Sequence, residues 1–409
     1  MIPLRLLTEE STSVPASGWK AWLSLGFRPF FLGAALWAVM SMVVWMAVYV
    51  GGWSLPMAAI PPVQWHAHEM LYGFAVAVIA GFLLTAVPRW VHRPTARGNS
   101  LLVLFMFWLV ARVIALVGNQ MLLPVLALLD LLALAGVAVA VVRPVVQARQ
   151  WKQMGILAKL ISLGVGNTLF YAGAMGWLAE GMRWGIYLGL YVIVALILAM
   201  GRRIIPPFMV AGLEHPVSPR NWKWVDIGSM IVYVPFVIVD VFTSNRTIAA
   251  LLALGLFAIY SVRLYGWYTP ALWKKPLLWS LYVAYAWIAA GFLLYASSVW
   301  GGFSPYLAVH AFAMGGIGLI TLSMMMRVSL GHTGRSVLEP PRIAGVALAI
   351  LALGAVVRVV LPLLWPGYYM LWIAGAQLLW ITAFGGFFLH FLPIWTHPEV
   401  RSMGGVAGS

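Results

Sequence analysis

The sequence predicts an all-α, polytopic membrane protein with twelve transmembrane helices and both termini on the cytoplasmic side. Three observations carry that expectation. The 409-residue chain is 63% hydrophobic and 9% charged, with 22 Trp, 19 Phe and a mean hydropathy of +0.95, which no water-soluble core requires. It contains a series of apolar runs, each of roughly 17 to 25 residues and therefore long enough to cross a bilayer core as a helix. Finally, its basic residues alternate from one connection to the next, as they do when loops are sorted by side.

In chain order, residues 1–26 form a mixed lead-in without the short apolar core and small-residue cleavage site of a removable signal peptide. The apolar runs lie near residues 28–50, 65–88, 100–117, 122–142, 155–178, 184–201, 225–242, 247–266, 277–298, 304–326, 342–363 and 367–391. The expected organisation is thus a lead-in (1–26), one twelve-helix domain (27–391) and a cytoplasmic tail (392–409). The longest connection, Arg202 to Trp224, leaves no room for a soluble domain. Of the 25 Lys and Arg residues, the opposite set of loops holds only Arg183 and Arg246, and Arg112 and Arg358 fall inside helices. All the others belong to the cytoplasmic set, which places both ends inside.

Several classes are excluded. With no cysteine, there are no disulfides, thiolate-held zinc, iron–sulfur clusters or covalently attached haem. The net charge of +15 is scattered over short loops rather than gathered into a nucleic-acid patch. No phosphate-binding loop or dinucleotide fingerprint is present, and the glycines suit close helix packing.

Against this background the stretch Gln64-Trp65-His66-Ala67-His68-Glu69-Met70 stands out, because polar groups at membrane depth are costly and mark functional sites. His66 and His68 open the second helix on its outer side. His310 lies about six residues, roughly 9 Å, inside the outer end of the tenth. Residues two apart on a helix point about 200° from each other, so one of His66 and His68 is expected to ligate a haem iron with His310 opposite. His66 is preferred, because its helical face carries Met70, Gly73, Ala77, Ala80 and Gly81, against which a macrocycle or another helix can lie. The competing reading makes these histidines interfacial caps bonded to backbone.

Glu69 is either a dipole-favoured carboxylate of the first turn or a group that orients an imidazole or carries protons. Arg112 and Arg358, in the same leaflet, suit haem propionates, and the alternative for Arg112 is an ion pair with Asp130. On the inner side, His92, His215 and His397 are read as solvated loop residues. His332, in the glycine-framed turn Leu330 to Arg335, is paired with His390 as a candidate copper or second haem site.

The sequence resembles the NnrS family of bacterial inner-membrane proteins. The matching pieces are Gly26-Phe27-Arg28-Pro29-Phe30-Phe31, Trp65 to Met70, Ala80 to Pro88, Gly201-Arg202-Arg203, the His310 helix and Gly331 to Arg335. The resemblance implies a haem- and copper-containing protein of nitric oxide metabolism and nitrosative stress resistance. A looser likeness joins the chain to the catalytic subunit of haem-copper oxidases and nitric oxide reductases, which pairs histidines on helices two and ten around a haem. The departure is that helices six and seven here carry no histidine, so a standard binuclear centre is not expected.

The resulting expectation is a b-type, non-covalently bound haem, with copper as a second metal and nitric oxide as ligand or substrate. If nitric oxide is reduced to nitrous oxide, Glu69 and Tyr72 are the candidate proton donors and an electron donor must supply the reaction. The alternatives are a nitric oxide-binding protective protein without turnover, and a secondary transporter.

Overall fold

A computed structural model of the chain describes residues 18–397. After a single helical turn at Trp19–Trp22, twelve helices are long and apolar enough to cross a membrane. They are α1 (Phe27–Tyr49), α2 (Pro62–Val91), α3 (Asn99–Val117), α4 (Gln120–Gln147), α5 (Trp151–Ala174), α6 (Gly181–Gly212), α7 (Lys223–Phe242), α8 (Arg246–Trp267), α9 (Pro276–Gly301), α10 (Tyr306–Gly331), α11 (Arg342–Leu364) and α12 (Pro366–Thr396). No strand occurs among the described residues, as expected where lipid leaves backbone groups no partner outside the helix.

The helices are arranged as three arcs of four neighbours. These are α11–α12–α1–α2, α3–α4–α5–α6 and α7–α8–α9–α10. The inner member of each arc, α2, α6 or α10, touches the other two. These three are also the most enclosed helices, with 83%, 67% and 78% of their apolar windows buried. The first arc is closed by Arg28 at the start of α1, whose guanidinium donates to the carbonyls of Trp395 (3.2 Å) and His397 (2.6 Å) at the end of α12. α1 and α2 are joined where the Phe27 N–H donates to Thr85 Oγ1.

Two boundaries differ from the sequence reading in an informative way. α6 runs on to Gly212, past Arg202, Arg203, Pro206 and Pro207, rather than ending near residue 201. The continuation is held because Arg203 stacks on Trp90 at 4.5 Å and donates to Gln153, while Arg202 pairs with Asp226 of α7. α12 runs to Thr396 rather than 391, its Trp395 indole donating to Ser329 Oγ of α10.

The second difference bears on the site. α2 and α10 are not uniform α-helices. α2 carries a π-helical segment at Glu69–Ala75, directly after His68, and α10 carries one at Ala311–Gly318, directly after His310. A π turn accommodates more residues than an α turn, so side chains beyond it are rotated relative to those before it. The face assigned to His66 from an unbroken 3.6-residue period is therefore cut at Glu69. In the fold, Gly73 packs against the Trp37 indole and the Arg112 and Glu69 side chains, and Gly81 packs against Phe30 and Phe31. The smooth strip is covered by α1 and α3 rather than left for a macrocycle.

Candidate functional site

Two polar clusters sit side by side near the sparsely charged end of the bundle, and they divide the candidate residues between them. The first is a buried charge network across α2 to α5. Arg112 of α3 pairs through Nη1 with Glu69 Oε2 and through Nη2 with Asp130 Oδ1 of α4. Its guanidinium is thus taken up by two carboxylates, and the ion pair with Asp130 is the arrangement found. Glu69 Oε1 faces His68 Nδ1 at 3.0 Å. On the other side of the imidazole, Nε2 faces Asn167 Oδ1 at 2.9 Å and Asp130 Oδ2 at 3.4 Å. The Tyr171 hydroxyl donates to Asp130 Oδ2 at 2.9 Å.

The donor inventory settles the role of His68 in this arrangement. Asn167 Nδ2 points at Asp130 Oδ2, which turns its carbonyl oxygen toward the imidazole. Both ring nitrogens therefore face oxygen acceptors, so both donate and neither offers a lone pair to a metal. Arg112 and the polar partners around the two carboxylates are what let this network persist at 1–4% exposure. The ring is further fixed by stacking on Phe170, with centroids 4.3 Å apart.

Tyr72 lies just below, its hydroxyl donating to the Gly185 carbonyl of α6 at 2.7 Å. It is wedged between Gly166 and Gly189, and a Cβ on Gly189 would come within 2.5 Å of the hydroxyl. The adjoining cavity, lined by Tyr72, Asp130 and Asn167, has room for about one water. Glu69 is thus a counter-ion and Tyr72 a tie between α2 and α6.

The second cluster gathers the ends of α1, α2, α10, α11 and α12. His66 stacks face to face on Trp45 of α1, centroids 4.5 Å apart and 5° from parallel, and its Nδ1 is buried without a partner. His310 of α10 donates from Nδ1 to the Tyr306 carbonyl at 2.8 Å. That bond fixes the tautomer and leaves the Nε2 lone pair directed at Arg358 Nη2 of α11, 3.2 Å away. Arg358 and both imidazoles lie within electrostatic reach of one another. Tyr369 of α12 lies against the guanidinium, its ring 5.8 Å away, with Tyr49 nearby. The structure thus brings His66, His310 and Arg358 together and assigns His68 and Arg112 to the other cluster.

The chemistry of this donor set suits a haem better than a metal held by protein alone. No three His, Asp or Glu side chains form a metal-holding group among the described residues. A protein-held transition metal wants three or four ligands, whereas haem iron takes at most two from the chain. His66 offers an unpartnered nitrogen, His310 an oriented one, and Arg358 a cation for a propionate. The fit is to the polar parts of the group.

On the basic side, His332 sits against the Phe27 ring, centroids 5.8 Å apart. Burial, with the nearby Arg89 charge, pushes its imidazole down to about 4. His390 is exposed on α12 and meets Phe391. Neither belongs to a group of three metal-capable side chains among the described residues. His92 is exposed and adopts the left-handed conformation that ends α2.

A model of the NnrS protein family matches residues 21–399, nearly the whole chain. The chain belongs to the NnrS family. No curated protein matches it. The matched span takes in both clusters, so the polar residues described are part of the NnrS-type domain itself.

Some participants were not anticipated from sequence. Asn167 and Tyr171 complete the charge network, and Trp45, Tyr49 and Tyr369 wall the second cluster. Only Asn167, an amide in an apolar span, carried a signal of its own. The aromatics are indistinguishable by sequence from the many that pack the bundle.

Proposed function

We propose that this NnrS-family protein acts on nitric oxide at a non-covalently bound b-type haem, with His66 and His310 as the iron ligands, in the bacterial inner membrane. The observation that carries the reading is His310 Nε2 lying 3.2 Å from the Arg358 guanidinium, with His66 within its electrostatic reach, where both α2 and α10 change to π geometry. Such segments are enriched at functional sites. His66 is preferred over His68 because only His66 has a nitrogen without a partner.

When bound, haem would supply an iron for nitric oxide, which would have to displace His66 or His310, because an iron held by both imidazoles has no open position. The chain's own residues do the rest. The Tyr306 carbonyl orients His310, the Trp45 indole holds the His66 ring flat, and Arg358 supplies positive charge between them. Nitric oxide partitions into lipid and needs no polar entry channel.

Turnover to nitrous oxide also requires protons and an electron donor. Both Glu69 oxygens are engaged and the Tyr72 hydroxyl donates to backbone, which favours the second reading, nitric oxide binding and protection without reduction. Copper at His332 and His390 is a separate proposal.

The test is the visible spectrum of the purified protein. A Soret band lost in His66→Ala and His310→Ala but kept in His68→Asn supports the assignment, and a colourless wild-type preparation rejects it. Anaerobic consumption of nitric oxide by the reduced protein separates reduction from binding alone.

A further inference from the structure

Four arginines are buried among the described residues, and three donate to carbonyl, carboxylate or amide oxygens. Arg28 donates to two carbonyls, Arg112 holds two carboxylates, and Arg263 pairs with Asp226 and contacts Asn221. Arg358, 7% exposed, has instead the neutral Nε2 of His310 and two tyrosines, and its Nη1 is buried with no partner. The other described carboxylates are committed elsewhere or remote. Asp240 accepts from Tyr191 and Tyr295, Glu180 and Glu214 pair with Arg183 and Lys275, and Glu339 lies in an exposed loop. A buried guanidinium without a counter-ion is expensive, so the fold leaves a negative charge to be supplied.

We propose that the Arg358 guanidinium, beside His310, is a binding site for a planar monoanion, either a carboxylate or a nitrite-shaped oxyanion. The guanidinium fork presents parallel N–H groups spaced for two oxygens of one such group. The Nη1 donor is free for the first oxygen, and Nη2 reaches the second by giving up its bond to His310. A single charge is specified, because one cation is uncompensated by the described carboxylates and the His310 nitrogen facing it accepts from it. His66 Nδ1 is likewise buried without a partner, and the Tyr369 ring lies 5.8 Å from the guanidinium. A metal cation alone is disfavoured beside the arginine. The anion has two possible sources, a haem propionate or a free small ion. The proposal rests on the missing counter-ion and stands whether or not iron is bound.

The experiment compares purified wild-type protein with Arg358→Gln and Arg358→Lys in detergent. In the first arm, sodium nitrite and sodium formate are titrated against matched sodium chloride, reading the unfolding temperature. A saturable rise in the wild type, with half-saturation shifted at least tenfold in both variants, assigns a free anion. In the second arm, native haem is compared with its dimethyl ester, reading the concentration for half-maximal Soret absorbance. A tenfold or greater preference for native haem, abolished in Arg358→Gln, assigns a propionate.

Either result supports the site. Equal responses of wild type and Arg358→Gln in both arms, or no response in either, overturn it. If Arg358→Gln does not accumulate, Arg358→Lys decides, since it keeps the charge and loses the fork. A wild type that takes up no haem but responds to nitrite through Arg358 would overturn the haem reading and leave this one standing.

Discussion

Arg112 and Arg358 lie in the same leaflet, each buried in an apolar helix, yet their surroundings are opposite. Arg112 is held by two carboxylates that are themselves bonded to His68, Asn167 and Tyr171. Arg358 faces imidazole and phenol, with one N–H unused. Each leaves one buried N–H without a partner, Nε of Arg112 and Nη1 of Arg358; what differs is that two carboxylates offset the charge of Arg112 and none of the described carboxylates offsets that of Arg358. Burial of a charged group is therefore no mark of a binding site by itself; the mark is a charge whose partners do not add up. One arginine closes a structural network across α2, α3 and α4, and the other leaves an opening among α2, α10 and α11.

The largest expected effect follows from breaking the closed network. Arg112→Met strands two buried carboxylates and should destabilise the protein by about 3–5 kcal/mol, the range for removing one partner of a buried ion pair. Thermal unfolding in detergent measures this, and a shift of under about 1 kcal/mol would mean the network is not the tie it is taken for. His68→Ala should cost about 3 kcal/mol or more for the same reason, since it uncovers Glu69 and Asp130. His66→Ala, with no polar partner to strand, should cost well under half of that, so their ratio tests the division between the clusters directly. Gly189→Ala pushes a methyl into the Tyr72 hydroxyl and ring, 2.5 Å and 2.7 Å from Oη and Cζ, and should cost about 1–3 kcal/mol, relieved only in part by Tyr72→Phe. Arg358→Met is the counterpart of the first variant. Because it strands no carboxylate, stability in anion-free buffer should change by no more than about 1 kcal/mol or rise slightly.

The smallest effect lies outside both clusters and serves as the baseline. His332 is held neutral, at about 4 against the ordinary 6.5, so the unfolded chain binds its proton first. Stability from this group is complete above about 6.5, declines as the pH falls, and is lost by about 4. His332→Asn should flatten the unfolding temperature over that window, and an unchanged slope would place the titration elsewhere.

Much of this architecture is readable from the chain. Each of the twelve apolar runs became a helix, because lipid enforces internally bonded backbone wherever an apolar run is long enough. The importance of residues 64–70 and of His310 was legible for a similar reason, since polar groups in an apolar run carry a cost that something must offset. Their sorting was not legible. A face shared by His66 and Gly73 requires a constant period, and the π segment beginning at Glu69 removes that constancy. Pairing Arg112 with Asp130 was one of two options until α3 and α4 were seen side by side. The continuation of α6 through Pro206 depended on Trp90 and Gln153, which lie far away in sequence.

The sequence by itself determined what kind of protein this is and which side chains are out of place in it, because hydropathy, helix length and charge cost are properties of local composition. The tertiary structure alone decided which of those side chains satisfy one another, because a hydrogen-bond partner is fixed by distances between helices that no single run encodes. His66 and His68 are two residues apart and equivalent by composition. What separates them is that Asn167, 99 residues further on, reaches only one.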